Sequence, residues 1–175
     1  MKKQLIACIE SNSIVSIYCD INRPNTHLTG FIDNYSEEAL VVRHISKEGH
    51  YDGFIMIDPL DIYRVDYNSE YEKKVGALYL HKGQSHPNLP KKDGIFESLL
   101  CFCMNTGCVI SIELPECIIS GLLIDYSENT IHLSVLDSYG RKNGETIVAF
   151  SAIRSFAADT SAERDIAILY REKSR

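Results

Sequence analysis

The chain has 175 residues, a formal net charge of −6, 45% apolar residues and 24% charged residues. This composition is that of a globular protein, and no apolar stretch approaches the roughly 20 residues of a membrane-spanning helix. Residues 1–82 and 83–175 each contain 9 basic and 12 acidic residues. Neither half therefore has the positive charge that drives non-specific binding to nucleic acid or to a membrane surface.

The N-terminus lacks the apolar region and the cleavage pattern of a signal peptide. Six cysteines occur without any C-x-x-C pair, which is typical of free thiols in a reducing compartment. These features predict a cytoplasmic protein with no membrane partner.

The chain contains an internal duplication. Residues 30–82 align without a gap on residues 121–173, and eleven of the 53 aligned positions are identical. In the first copy these are Gly30, Tyr35, Ser36, Glu37, Gly49, Gly53, Ile62, Glu72, Leu78, Tyr79 and Lys82. The repeat predicts two domains, residues 1–82 and 95–175, joined by a polar, Pro- and Gly-containing linker at residues 83–94.

Each copy begins with a predicted helix and continues with five predicted strands. The apolar helix faces consist of Leu5, Ile6, Cys8 and Ile9 in copy 1 and of Leu99, Leu100, Cys103 and Met104 in copy 2. Gly30 and Gly121 lie within the second strand, where a glycine permits a sharp bend. Gly49 with Asp52-Gly53, and Gly140 with Asn143-Gly144, predict hairpin turns, in which Asp-Gly and Asn-Gly supply the positive φ.

Each copy ends with a predicted helix that a capping box begins. The boxes are Ser69-x-x-Glu72 and Thr160-x-x-Glu163. Residues 75–80 and 166–169 are also compatible with strands, so the sequence leaves helix and strand open there.

These elements predict a mainly β fold with flanking helices, of the α+β class. The expected architecture is two tandem SH3-like or Sm-like five-stranded barrels, each with an N-terminal and a C-terminal helix. Residues 30–42 read Gly-Phe-Ile-Asp-Asn-Tyr-Ser-Glu-Glu-Ala-Leu-Val-Val, and residues 121–133 read Gly-Leu-Leu-Ile-Asp-Tyr-Ser-Glu-Asn-Thr-Ile-His-Leu. This order of glycine, aromatic residue and apolar strand resembles the second-strand signature of the Sm-like family, of the bacterial Hfq type, over residues 14–67 and 109–158.

The resemblance implies a barrel fold and RNA binding, but the family's contact residues are replaced. Glu38 and Asn129 stand where the family has an aromatic residue that stacks on a base, and a carboxylate repels phosphate. The family's basic pair falls on residues 58–61 and 149–152, which contain no basic residue.

The sequence therefore favours a non-enzymatic interaction module that binds a protein partner, acts as a scaffold or self-associates, through sheet edges or a tyrosine surface. The alternative is an RNA-binding regulatory protein of the Sm-like type with altered contact residues. No nucleophile motif, phosphate loop or carboxylate pair indicates an enzyme, and no cofactor is expected.

Two sets of residues are candidates for binding. The first is the repeated triplet Tyr35-Ser36-Glu37 and Tyr126-Ser127-Glu128, which predicts either a ligand site in each copy or a turn. The second is Tyr63, Tyr67 and Tyr71, which become Arg154, Ala158 and Ala162 in copy 2. These tyrosines predict either core packing or an interaction surface that only copy 1 carries.

Metal binding is not expected. Cys101, Cys103, Cys108 and Cys117 invite comparison with a zinc site, but Cys101 and Cys103 lie on different faces of a helix and lack the usual spacing. His81 and His86 are expected to be surface histidines in a flexible segment.

Overall fold

The structure is a computed structural model that describes residues 1–173. The chain divides into two compact units between Asn88 and Leu89, a boundary that lies within residues 83–94. Unit 1 contains α1 (Lys2–Glu10), β1 (Ile14–Tyr18), β2 (Leu28–Tyr35), β3 (Leu40–Ile45), β4 (Tyr51–Ile57), a 3-10 turn (Pro59–Asp61), β5 (Arg64–Tyr67) and α2 (Glu70–His81). Unit 2 contains α3 (Ile95–Thr106), β6 (Val109–Glu113), β7 (Ile118–Tyr126), β8 (Thr130–Leu136), β9 (Lys142–Ala149), a 3-10 turn (Phe150–Ala152), β10 (Ser155–Ala158) and α4 (Ser161–Lys173).

Both units build an antiparallel sheet with the same strand order. In unit 1 the order is β5-β1-β2-β3-β4, and in unit 2 it is β10-β6-β7-β8-β9. This confirms the mainly β class with flanking helices. Within the described residues each sheet is open, because the two outer strands of a unit do not pair with each other.

Strands β2 and β7 each contain the repeated glycine at a point of close backbone approach. A Cβ atom on Gly30 would lie 2.1 Å from the carbonyl oxygen of Arg43, and one on Gly121 would lie 2.4 Å from that of Ser134. A register shift follows in both strand pairs. Any side chain at these positions would collide with the backbone of the neighbouring strand. Both positions therefore require glycine, as the sequence predicted.

The β3–β4 turn contains only the first part of the predicted segment, at Gly49. It spans residues 46–50, where Gly49 has a φ of 76°. Asp52-Gly53 lies inside β4, beside a register shift, and Gly53 has a φ of 71°; Asn143-Gly144 likewise lies inside β9. The prediction was wrong for Asp52-Gly53 and Asn143-Gly144, because a strand irregularity uses the same positive φ as a hairpin turn.

The two helices of unit 1 pack against different groups of buried residues. Leu5 and Cys8 of α1 belong to the cluster that contains Val15 and Ile17 of β1. Val75 and Tyr79 of α2 form a second cluster with Ile45. The predicted helix faces were too wide, since Ile6 is 39% exposed and, in unit 2, Met104 is 42% exposed.

Helices α2 and α4 both begin at the predicted capping boxes. The Ser69 N–H donates to Glu72 Oε2 at 2.9 Å, and the Thr160 N–H donates to Glu163 Oε2 at 3.2 Å. Residues 75–80 and 166–169 are helical. Within the described residues, no helix has both the length and the apolar character needed to cross a membrane.

The segment after α2 is held on unit 1 by His86. Its Nε2 lies 2.9 Å from the His44 carbonyl oxygen, its Nδ1 lies 2.8 Å from the Tyr79 hydroxyl, and its ring lies 4.6 Å from that of Tyr51. A carbonyl oxygen only accepts, so Nε2 carries the proton and Tyr79 donates to Nδ1. The expectation of a surface histidine was wrong for His86, which is half-buried, whereas His81 is exposed.

This packing predicts a loss of stability in acid. Burial lowers the pKa of His86 to about 4, below the ordinary value of 6.5, so the unfolded chain takes up the proton first as the pH falls. The neutral ring stabilises unit 1 fully above about pH 6.5, and roughly 2–3 kcal/mol is lost between about pH 6.5 and 4. In urea unfolding at pH 7 and 4.5, His86→Gln should lose less stability than the wild type. His81→Gln should follow the wild type, and parallel curves for all three chains would contradict the assignment.

Candidate binding surface

The triplet Tyr35-Ser36-Glu37 forms the connection between β2 and β3. Ser36 Oγ accepts hydrogen bonds from the N–H groups of Glu38 and Ala39, at 3.2 and 3.1 Å. The Tyr35 ring packs against the main cluster of unit 1, and the exposed Glu37 carboxylate lies 2.9 Å from Lys2 Nζ. These contacts fix a turn and attach it to α1.

The triplet Tyr126-Ser127-Glu128 has the same position between β7 and β8. The Ser127 N–H donates to the Thr130 carbonyl oxygen at 2.8 Å, and the two hydroxyl oxygens lie 2.9 Å apart. Glu128 is exposed. The turn geometry accounts for the repeated Ser, while a ligand role for either triplet stays a prediction.

A row of four aromatic rings lies on unit 1, and we call it the aromatic row. Its members are Tyr63, Tyr18, His27 and Tyr71. The ring centroids are 6.2 Å apart from Tyr63 to Tyr18, 5.0 Å from Tyr18 to His27 and 5.2 Å from His27 to Tyr71. Such spacings are those of interacting aromatic pairs, so the rings form a continuous surface.

Three separate segments bring these rings together. Tyr18 ends β1, and the Tyr63 N–H donates to its carbonyl oxygen at 3.1 Å next to the β1–β5 pairing. His27 lies at the end of the loop that is four residues longer than its counterpart in copy 2. Tyr71 lies in the first turn of α2. The longer loop of copy 1 therefore supplies the ring that links β1 to α2.

A fixed ion pair borders the aromatic row. The Arg64 guanidinium lies 4.6 Å from the centre of the Tyr18 ring and donates two hydrogen bonds to the Asp66 carboxylate, at 2.9 and 2.6 Å. The hydrogen bonds from Arg64 lower the pKa of Asp66, while burial and the Asp66 charge raise the pKa of Tyr18. The phenol therefore stays neutral, and the guanidinium is held over its face.

Unit 2 has the same backbone at this place but different side chains. The Arg154 N–H donates to the Glu113 carbonyl oxygen at 2.9 Å, which repeats the Tyr63–Tyr18 contact. Ser155 replaces Arg64, and its hydroxyl donates to the Glu113 carboxylate at 2.7 Å. The fold therefore does not require the aromatic row, because unit 2 keeps the strand pairing without it.

The structure brings together only part of the predicted tyrosine surface. Tyr63 is 38% exposed and Tyr71 is half-buried, and both belong to the aromatic row. Tyr67 is 46% exposed on β5 and, within the described part of the chain, takes no part in the ring contacts. Sequence reasoning missed Tyr18 and His27, although the longer loop next to them was a signal.

The cysteines of unit 2 do not gather into a metal site. Within residues 1–173, no group of three or more His, Cys, Asp or Glu side chains is placed to hold an ion. Burial raises the pKa of Cys103 well above its ordinary value, and a hydrogen bond from this thiol lowers the pKa of Cys108.

The chain matches no family model, no curated protein and no solved structure. The resemblance to Sm-like proteins stays a prediction that rests on the second-strand signature. Any functional proposal for this protein therefore depends on the contacts within each unit and on the differences between the two copies.

Proposed function

We propose that this protein is a non-enzymatic, protein-binding module built from two Sm-like barrels, with copy 1 as the unit that recognises the partner. The repeated strand order, the glycine at the close approach in the second strand and the preceding helix support the barrel assignment. The described cysteines are all free, which supports a cytoplasmic location.

The observation that carries the proposal is the difference between the copies at one structural position. Copy 1 presents the aromatic row with Arg64 across Tyr18, whereas copy 2 keeps the backbone contact and has Glu113, Arg154 and Ser155 there. Tyrosine and arginine are the residues that dominate protein interfaces. Tyr63 is the exposed ring of the row, at 38%, and its exposure is explained if a partner covers it.

The chemistry of this surface suits contact rather than catalysis. The Arg64 guanidinium is neutralised by Asp66, and the Tyr18 phenol is kept neutral. Such groups offer flat rings and fixed hydrogen-bonding geometry, which contribute to binding with little loss of side-chain entropy.

RNA binding is the second candidate, because stacked rings beside an arginine also suit unpaired bases. Asp66 lies on the same surface and already pairs with the Arg64 guanidinium. Its negative charge repels a phosphate backbone, so it weakens RNA binding there. This balance of charge favours a protein partner.

A display library of random peptides, together with a pool of single-stranded RNA, tests the proposal. We expect the wild-type chain to select peptides, and the variant Tyr63→Arg with Arg64→Ser, which installs the residues of copy 2, to bind them at least tenfold more weakly. Tyr139→Ala is the matched control, because Tyr139 is an exposed tyrosine of copy 2 whose ring lies 5.1 Å from Arg141.

Two results would contradict protein binding through copy 1. One is equal peptide binding by the wild type and the copy 1 variant. The other is tight, salt-dependent binding of the RNA pool that the same variant abolishes, which would favour the RNA-binding alternative.

A further inference from the structure

A basic depression lies beside the aromatic row in unit 1. It has a volume of about 450 Å³ and is lined by Lys47, Glu48, Tyr71, Lys74, Leu78 and Lys82. Tyr71, Lys74 and Leu78 of α2 are spaced three or four apart and share one helix face, opposite the β3–β4 turn, and Lys82 is the C-cap residue of the same helix. Tyr71 belongs both to this depression and to the aromatic row, which makes the two surfaces continuous.

A hydrogen bond joins the end of α2 to the β3–β4 turn, and it leaves most of the positive charge of the surrounding lysines without a carboxylate partner. Lys82 Nζ donates to the Glu48 carbonyl oxygen at 2.6 Å and lies 3.0 Å from His50 Nε2. Lys47 Nζ lies 3.7 Å from the exposed Glu48 carboxylate. Within the described residues Lys74 has no ion-pair partner. Three ammonium groups thus surround the depression against one carboxylate, in a half of the chain whose net charge is −3.

Unit 2 shows which of these residues the fold requires. Lys173 Nζ donates to the Tyr139 carbonyl oxygen at 2.6 Å, which repeats the contact of Lys82. The positions of Lys47, Tyr71 and Lys74, however, are occupied by Ser138, Ala162 and Asp165. The lysine that joins helix and turn is kept, and the residues that make the depression basic and aromatic are not.

We propose that this depression binds an acidic peptide segment in which Asp or Glu residues flank one apolar side chain. The carboxylates pair with Lys47 and Lys74, and the apolar side chain packs on Tyr71 and Leu78. The inference rests on the proposed function, because it names the chemistry of a protein partner of copy 1. A peptide fits better than a nucleic acid, since the lining offers lysines and the apolar Leu78 but no arginine fork to bind a phosphate with two hydrogen bonds.

The test uses the full chain and a fluorescein-labelled peptide, Asp-Glu-Phe-Asp-Glu, in a titration followed by amide NMR shifts and fluorescence anisotropy. We expect saturable shifts at residues 46–50 and 71–82, and binding that weakens as salt rises. Lys47→Ser with Lys74→Asp should weaken binding at least tenfold. This variant carries residues that unit 2 already accommodates, so it should keep its fold.

The duplication also allows a gain-of-function test. Ser138→Lys, Ala162→Tyr and Asp165→Lys together should build a second depression in unit 2 and raise the stoichiometry from one peptide per chain to two. The lysine peptide Lys-Lys-Phe-Lys-Lys should not bind either site.

Other outcomes would overturn the inference. These are no saturable binding of the acidic peptide, unchanged binding by the Lys47 and Lys74 variant, or a ten-nucleotide uridine RNA that binds the depression more tightly than the peptide. A dimer of the chain alone that dissociates in the Lys47 and Lys74 variant would instead assign the depression to a second copy. Failure of the proposed function is distinguishable, because it is judged by the selection of library peptides with the Tyr63→Arg and Arg64→Ser variant, whereas this inference is judged by the binding of Asp-Glu-Phe-Asp-Glu with the Lys47 and Lys74 variant.

Discussion

A chain with Gly30→Val is expected to lose about 3 kcal/mol or more of the unfolding free energy of unit 1. The added Cβ would lie 2.1 Å from the Arg43 carbonyl oxygen and 2.9 Å from the Arg43 carbonyl carbon. Backbone atoms in a paired strand cannot turn aside as a side chain can, so relief requires separating β2 from β3. The amides of β2 and β3 should lose their protection from hydrogen exchange first.

The duplication provides a second site for the same experiment. Gly121→Val should act in the same way on unit 2, because its Cβ would meet the Ser134 carbonyl oxygen at 2.4 Å. Gly76→Ala is the matched control. That position lies inside α2, where the nearest atom to a new Cβ is the tip of the Ile14 side chain at 3.0 Å, and copy 2 already has Ala167. Gly76→Ala should change the unfolding free energy by less than about 1 kcal/mol. If Gly30→Val lost no more unfolding free energy than Gly76→Ala, β2 would have room for a side chain at residue 30.

Glu72→Ala is expected to cost unit 1 about 2–4 kcal/mol. The Glu72 side chain is buried, accepts a hydrogen bond from the Ser16 hydroxyl at 2.6 Å and accepts another from the Ser69 N–H at 2.9 Å. Its removal leaves the buried Ser16 hydroxyl and the Ser69 N–H without this acceptor and opens the capping box. It therefore weakens both the start of α2 and the attachment of α2 to β1.

Glu70→Ala is the control for this substitution. Glu70 lies in the same helical turn, but its carboxylate is exposed and, within residues 1–173, pairs only with Lys73 at the surface, at 2.8 Å. An exposed pair of this kind contributes less than about 1 kcal/mol. Thermal or urea unfolding of both variants checks the expectation, and similar losses for Glu70→Ala and Glu72→Ala would show that burial of Glu72 has no effect.

The same carboxylate predicts a pH dependence. Burial raises the pKa of Glu72, but the hydrogen bonds from Ser16 and Ser69 outweigh it, and the net shift is downward from 4.5. Its contribution is therefore present above the unfolded value of 4.5 and is lost as the pH falls through the lower folded value. The stability difference between the wild type and Glu72→Ala should shrink in strong acid, and a constant difference down to pH 2 would contradict this.

Much of the backbone could be predicted from the sequence because the signals are local. Ser69 and Glu72 begin a helix through contacts three residues apart, and a glycine inside a strand marks a close approach whatever surrounds it. The repeat strengthened each of these predictions, since a signal found twice at one offset is rarely accidental. Where two structures share a local signal, as at Gly53, the sequence could not separate a turn from an irregularity inside a strand.

The binding surface could be predicted only in part. Tyr63 and Tyr71 were identified from their loss in copy 2, but Tyr18 and His27 join them through the β1–β5 pairing and the folded loop. Likewise, nothing near His86 in the chain indicates that Tyr51 and Tyr79 will enclose it.

By itself, the sequence determined the duplication, the mainly β class with flanking helices, the starts of α2 and α4 and the glycines inside β2 and β7. All of these follow from interactions within a few residues or from comparison of one copy with the other. Only the tertiary structure decided which side chains meet across strands and helices: the aromatic row, the basic depression, the bond between Ser16 and Glu72 and the enclosure of His86. Those contacts depend on strand register and on helix packing, which bring together residues that are as many as 56 positions apart.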